Sequence, residues 1–257
     1  LVGEGGRDRL EGRDGDDSLD GGGGRDRLIG GDGNDRIRPG GGDDIVRGGA
    51  GRDYLWYTVR YSLTIDLGAG YAQGRHRDAI YNIEDVRGGR GRDVLIGDDS
   101  PNILVGFYGG DQLFGMGGND RLFPGYGSDL VNGGEGSDWV DYRCEPGCGI
   151  YEPGAPVIDL TSGIVPLRPG GVDTLISIEN ARGDDLDNLI IGTDGSNRLS
   201  GGPGDDTIRG GLGADVLEGQ RGDDSLDGGL GDDSIDGGNG IDTCVNAAVI
   251  TNCEGPV

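Results

Sequence analysis

Lysine is absent from these 257 residues, histidine occurs once, and aromatic residues make up only 5%. So thin an apolar and aromatic supply excludes a wide globular core and leaves a narrow one, one or two side chains across. No apolar run approaches the ~20 residues of a membrane span. No basic-then-apolar leader precedes the chain, which opens at Leu1, so a mature or excised region is expected. There is no HExxH, no GxSxG and no nucleophile beside a plausible His base. The one histidine, His76, lies in Gly74-Arg75-His76-Arg77-Asp78 and reads as an exposed turn. The expectation is therefore no catalytic residues and no enzyme within this segment. Bases are also scarce: 22 arginines face 47 acids, a net charge of −25. That balance argues against nucleic acid and against anionic membranes. The natural counterion is a hard cation taking oxygen ligands, and Ca²⁺ suits irregular shells of carboxylate and carbonyl best.

What the chain has in excess is glycine, 60 residues of it. Such a composition alone would point to disorder, but the glycines are periodic. A nine-residue unit, Gly-Gly-x-Gly-x-Asp-x-Φ-x with Φ an aliphatic residue, recurs nineteen times. Gly21-Gly22-Gly23-Gly24-Arg25-Asp26-Arg27-Leu28-Ile29 is one copy and Gly201-Gly202-Pro203-Gly204-Asp205-Asp206-Thr207-Ile208-Arg209 is another. The copies form three blocks in strict phase, residues 3–56, 88–141 and 183–245, separated by inserts at 57–87 and 142–182. The inserts resemble each other: Thr64-Ile65-Asp66-Leu67 and later Ile83-Glu84-Asp85-Val86 in the first match Val157-Ile158-Asp159-Leu160 and Ile178-Glu179-Asn180-Ala181 in the second. Each reads as two short strands that leave the array and rejoin it in phase. For Asp66, Asp159, Glu84 and Glu179, strand-end hydrogen bonding is the simplest role.

Glycine at positions one, two and four allows tight turns with inward carbonyls. Positions seven to nine make a minimal strand whose middle side chain points opposite to its neighbours. The position-eight column, Leu10 and Leu19 through Leu226 and Ile235 to Cys244, is the expected core. Two units make one coil, so the fold class is all-β, a single elongated right-handed parallel β-roll (β-solenoid) over residues 1–257. Nineteen units make about nine coils, or roughly 45 Å at ~4.8 Å per strand. Apolar outward residues such as Tyr54, Trp56, Val94, Ile96, Phe114 and Phe123 need cover, and the two inserts are expected to pack on the outside there. Turns lacking a glycine, at Glu4, Arg13, Pro39, Phe107 and Thr193, are expected to be distorted. The four cysteines fall into local pairs, Cys144/Cys148 and Cys244/Cys253; disulfides between them fit better than zinc, because His76 is the sole histidine. A Cys244/Cys253 bridge would close residues 246–257 as a C-terminal cap, while the N-terminal edge looks uncapped.

The repeat resembles the RTX, or hemolysin-type, calcium-binding nonapeptide of secreted bacterial proteins, and the match spans about two thirds of the chain. The resemblance implies Ca²⁺ held between turns one coil apart, by position-six carboxylates and backbone carbonyls. Carried over by position, those ligands are Asp8, Asp17, Asp26, Asp35, Asp44, Asp53, Asp93, Asp111, Asp120, Asp129, Asp138, Asp206, Asp215, Asp224, Asp233 and Asp242. Asn102, Asn188 and Asn197 replace the carboxylate with an amide, so their sites should be weaker or empty. Pairing along the units implies roughly 10–17 Ca²⁺. The acids at position five, Asp16, Asp43, Asp205, Asp223 and Asp232, read as rim charges. Without metal the carboxylates repel and the glycines oppose ordering, so a disordered apo chain that folds on Ca²⁺ after export is expected. Function therefore reads as calcium binding by a secreted, Ca²⁺-dependent folding module at an extracellular or cell-surface location, with no nucleic-acid partner and no transmembrane segment. The alternatives are an adhesive or self-assembling surface protein, stacking through the uncapped N-terminal edge, or the repeat region of a secreted enzyme or toxin.

Overall fold

The structure, a computed structural model, describes residues 1–143, 157–167 and 170–254. Among them there is no helix; the fold is an all-β parallel β-solenoid, as the repeat period requires. The chain divides into two compact units, Leu1–Leu122 and Phe123–Val257. Successive repeat units alternate between two sheets. In the first unit one sheet runs through Arg9–Asp14, Arg27–Asp32 and Ile45–Ala50, and the other through Ser18–Asp20, Arg36–Arg38 and Tyr54–Trp56. Register is set by the position-eight column: Leu10 opposes Leu28, which opposes Val46, and on the other sheet Leu19 opposes Ile37, which opposes Leu55. Leu28, Ile37, Val46 and Leu55 are fully buried. Each such side chain contributes about 1.5–3 kcal/mol on leaving water, and a one-residue slip would turn the whole column outward.

The inserts do not lie on the outside. They are spliced into the sheets and add coils to those the nineteen units supply. In the first insert, Arg77–Tyr81 pairs in parallel with Ile45–Ala50, and Asp85–Arg87 pairs in parallel with Tyr54–Trp56, placing Ile80 opposite Val46 and Val86 opposite Leu55. Tyr71–Gln73 and Thr64–Asp66 complete an antiparallel meander, after which Val94–Ile96 resumes the parallel stack on Thr64–Asp66. The second insert repeats this within the second unit: Val172–Ile176 stacks on Leu130–Glu135 and Asn180–Arg182 on Trp139–Asp141, while Ile164–Pro166 and Val157–Asp159 lead back to Leu189–Ile191. The reason is the core column itself. Ile65, Ala72, Ile80 and Val86 keep an inward apolar residue at strand spacing and are buried, so extending the roll hides more surface than covering it would. Of the outward aromatics, Trp56 instead carries Arg38 at 5.1 Å, and the turn aromatics Phe107 and Tyr108 carry Arg87 at 3.7 Å and Arg90 at 5.3 Å.

Turns without glycine divide in two: Thr193 does not take the positive φ of its stacked counterpart Gly211 and instead bonds through its N–H to Asn197, whereas three others keep the glycine turn. At position two, Glu4, Arg13 and Phe107 adopt positive φ (69°, 86° and 80°), the conformation their glycine counterparts use. The stacked neighbours enforce it, at a cost of roughly 1–2 kcal/mol per residue. At the other end Cys244 sits in the core column opposite Leu226 and is bonded to Cys253, with Cα atoms 5.9 Å apart. That closure lays Val249–Thr251 against Ser234–Asn239 as a last parallel strand. The pair Cys144/Cys148 and residues 255–257 lie outside the described residues.

Candidate metal centre

Position six precedes the core residue by two, so its side chain points inward like that of position eight, but at the turn. There each aspartate reaches back one coil. Oδ1 of Asp26 accepts the N–H of Asp8, and Asp35, Asp44 and Asp53 likewise accept from Asp17, Asp26 and Asp35, each at 2.8 Å. In the second unit Asp206, Asp215, Asp224, Asp233 and Asp242 accept from Asn188, Asn197, Asp206, Asp215 and Asp224 at 2.8–2.9 Å. The other oxygen is different. Oδ2 of Asp8, Asp26, Asp35, Asp44 and Asp53, and of Asp206, Asp215, Asp224, Asp233 and Asp242, is buried with no hydrogen-bond partner. An unpaired buried carboxylate oxygen is costly, and ten of them in two columns call for a common counter-charge.

The position-one glycine shows where that charge fits. A Cβ on Gly3 would lie 2.6 Å from the Gly21 carbonyl oxygen and 3.0 Å from Asp8 Oδ2. Gly12, Gly30, Gly210 and Gly219 show the same pair of oxygens, the carboxylate of their own unit and the carbonyl one coil on. Each missing side chain thus leaves a cradle lined by a carboxylate oxygen and a main-chain carbonyl, the donor set of a hard cation. Among the described residues no three acidic, His or Cys side chains converge on one point, so an ion here would draw much of its shell from carbonyls. Burial, reinforced by neighbouring carboxylates, pushes Asp44 and Asp206 up to about 7 and Asp53 and Asp224 up to about 6. Without a cation these columns favour protons.

The RTX calcium-binding nonapeptide repeat matches residues 2–37, 21–55, 82–106, 105–140, 182–217 and 209–244, well over half of the chain. The chain belongs to the RTX calcium-binding repeat family. Its repeats are calcium-binding, which agrees with the oxygen cradles, and no helix among the described residues is long and apolar enough to cross a membrane. No curated protein matches the chain.

Not every RTX rung has an open oxygen. Asp93, the first after an insert, accepts from Leu63 on Oδ1 (2.8 Å) and from Gly89 on Oδ2 (2.6 Å). Asn102 closes its rung with its own amide: Oδ1 accepts from Asp98 N and Nδ2 donates to the Glu84 carbonyl, both 2.8 Å. Asn197 does the same with Thr193 N (2.7 Å) and the Glu179 carbonyl (2.6 Å). Asn188 accepts from Asp184 N and donates to Asp184 Oδ1, both 3.1 Å.

Four rung residues in the inserts, Tyr57, Asp78, Tyr142 and Asp173, escaped the sequence reading. Asp78 Oδ1 accepts the N–H of Asp44 (3.0 Å), as a position-six aspartate does, but its Oδ2 accepts the Tyr57 hydroxyl at 2.7 Å. Asp173 repeats this with Asp129 N (2.8 Å) and the Tyr142 hydroxyl (3.1 Å). Glu84 and Glu179 accept from Asp53 N (2.8 Å) and Asp138 N (2.9 Å), the strand-end role expected of them. Asp66 and Asp159 cap their own turns through Ala69 N and Thr161 N. A signal for Asp78 and Asp173 existed: Asp78-Ala79-Ile80 and Asp173-Thr174-Leu175 keep the Asp-x-Φ spacing of the repeat. Position five also does more than carry rim charge. Asp16 accepts from Asn34 N, Asp205 from Asp223 N and Asp223 from Ile241 N, each at 2.8 Å, forming a second ladder of opposite polarity.

Proposed function

We propose that this chain is a secreted RTX module that folds on calcium, with the position-six aspartates and the facing carbonyls of the glycine turns as its ligands. The ten buried, unpartnered Oδ2 atoms beside glycine cradles carry this reading. When bound, Ca²⁺ supplies the positive charge that those columns lack. The protein supplies the rest: Oδ1 holds each carboxylate after Asp8 in place through the neighbouring N–H, glycine keeps the space open, and the core column fixes the spacing. Rungs closed by Asn102, Asn197, Tyr57 with Asp78, and Tyr142 with Asp173 stand outside the metal count, as does Asp93. The number of ions therefore falls toward the lower end of the roughly 10–17 expected from the repeats. Extracellular calcium modules bind at about 10⁻⁴–10⁻³ M, so such a chain stays unfolded at cytosolic calcium and orders after export. Its role is that of scaffold, not catalyst. Far-UV circular dichroism in EGTA and through a Ca²⁺ titration, with bound calcium counted by equilibrium dialysis, tests it. A full β signal in EGTA, or no bound calcium in the folded protein, would overturn the reading.

A further inference from the structure

The acids of this chain are spread almost evenly, but its arginines are not. Residues 1–122 hold 16 arginines against 22 acids, whereas residues 123–257 hold 6 against 25. On the first two coils the arginines are in register, the third coil carries Asp43 and Ile45 at the same positions, and an arginine returns on the insert coil that follows. Arg9 and Arg27 are Cα partners on adjacent parallel strands, one strand spacing of about 4.8 Å apart. Arg7 and Arg25 flank them at position five, one coil apart, and Arg77 follows on the insert strand. Like charges directly opposite across a sheet repel. Little relieves them: Glu11 pairs with Arg9, and Arg25 Nε donates to the Asp43 carbonyl at 3.3 Å. Among the described residues the guanidiniums of Arg7 and Arg27 make no ion pair, although, after Arg9, Arg27 lies near enough to help hold Glu11 below its ordinary value. Nor does the fold ask for arginine here, since the corresponding positions of the second unit hold Asp187, Asp205 and Asp223 at position five and Leu189, Thr207 and Ser225 at position seven.

These five arginines and Tyr71 border an open groove of about 830 Å³. Beneath it, Asp8, Asp26 and Asp44 turn their carboxylates inward, with Oδ2 unpartnered, so they are not available to neutralise the arginines. Asp43 is the exposed carboxylate of the lining, and its Oδ1 accepts the Arg77 main-chain N–H at 3.1 Å, so five arginines face one open acid there. We propose that this groove binds an anionic polysaccharide, whose carboxylates or sulfates bridge the stacked guanidiniums. Guanidinium forks match both groups in bidentate geometry. A repeating polymer suits a site whose charges recur at rung spacing. Double-stranded DNA carries a charge every ~1.7 Å of axis, far denser than the rungs. Single strands need open aromatic faces for their bases, yet Tyr71 and Tyr81 already carry Arg77 (4.9 Å) and Arg47 (4.7 Å). The inference rests on the calcium reading in one respect: cations under the groove floor would make it more positive and polymer binding calcium-dependent.

The test is calorimetric titration of the Ca²⁺-saturated chain with hyaluronan, dextran sulfate, neutral dextran and a single-stranded oligonucleotide. Binding of hyaluronan or dextran sulfate, weakened by salt and absent with neutral dextran, is the expected result; which polymer binds distinguishes carboxylate from sulfate. R25S/R27S should weaken it at least tenfold, and R198S/R209S in the second unit should not, while both keep the wild-type Ca²⁺ midpoint by circular dichroism. Binding to neither polymer, undiminished binding by R25S/R27S, or equal binding of the oligonucleotide would overturn the inference. Failure of the calcium reading shows separately, as β structure that ignores EGTA. Polymer binding that persists in EGTA and still needs these arginines keeps the groove and removes only its calcium floor.

Discussion

Replacing Gly30 with alanine places a methyl group where a cation is proposed to sit. Its Cβ would lie 2.7 Å from the Gly48 carbonyl oxygen and closer still to Asp35 Oδ2. Both are held in place, the carbonyl by the neighbouring coil and Asp35 by the Asp17 N–H (2.8 Å), so neither yields cheaply. Gly41 is the matched control: an added Cβ meets nothing within 4 Å, and its φ is not in the left-handed range. At 10 mM Ca²⁺ and a Kd of about 10⁻⁴–10⁻³ M, one site stabilises the fold by about 1.4–2.7 kcal/mol. Gly30→Ala should lose at least that much, and one bound ion. Gly41→Ala should instead gain about 0.4–1 kcal/mol by restricting the unfolded chain. Urea unfolding in 10 mM Ca²⁺ gives the energies and equilibrium dialysis gives the stoichiometry. A Gly30→Ala protein that keeps its full calcium complement would refute the cradle argument, and equal destabilisation by both variants would show that the effect is not local to the metal position.

Four further outcomes are expected. Tyr57→Phe removes the hydrogen that Tyr57 gives to the buried Asp78 Oδ2 and should cost about 1–3 kcal/mol in urea unfolding without changing calcium stoichiometry; an unchanged midpoint would count against the closed-rung assignment. Asn197→Asp deletes the hydrogen bond that Nδ2 donates to the Glu179 carbonyl and adds a carboxylate, so it should raise bound calcium by one at saturation and lower stability at limiting calcium. In EGTA, residual structure should be greatest below about pH 4 and fall as pH rises to about 7. The folded-state values of Asp44 and Asp206 (about 7) and of Asp53 and Asp224 (about 6) lie above the ordinary aspartate value, so their stabilisation is full at acid pH and lost as pH rises through those values. A metal-free protein more ordered at pH 8 than at pH 5 would contradict this. Cys244→Ser opens a loop of nine-residue separation and should lower stability by roughly 2–3 kcal/mol, read as a lower thermal midpoint in calcium.

How far each feature could be read depended on whether its signal was periodic. The core column and the position-six column recur every nine residues, so Leu28, Val46, Asp26 and Asp44 were legible from spacing alone. The side chains that close rungs were not, because their partners are far apart in sequence: Tyr57 and Asp78 are 21 residues apart, Tyr142 and Asp173 31. Their aspartates still carried the Asp-x-Φ spacing, and reading each insert as a surface addition concealed it. Glu4, Arg13 and Phe107 show a related limit. Local preference predicted distorted turns there, and the stack on either side imposed the glycine conformation instead.

By itself the sequence determined the period, the inward residues, the all-β class and the kind of ion the acids favour, because each is set within nine residues and then repeated. Only the tertiary structure decided that the inserts are coils of the roll, that certain rungs are closed by tyrosine or asparagine, and that five arginines share one groove. Those features depend on which residues meet one coil apart, and it is stacking that brings positions 18 to 44 residues distant within hydrogen-bonding reach.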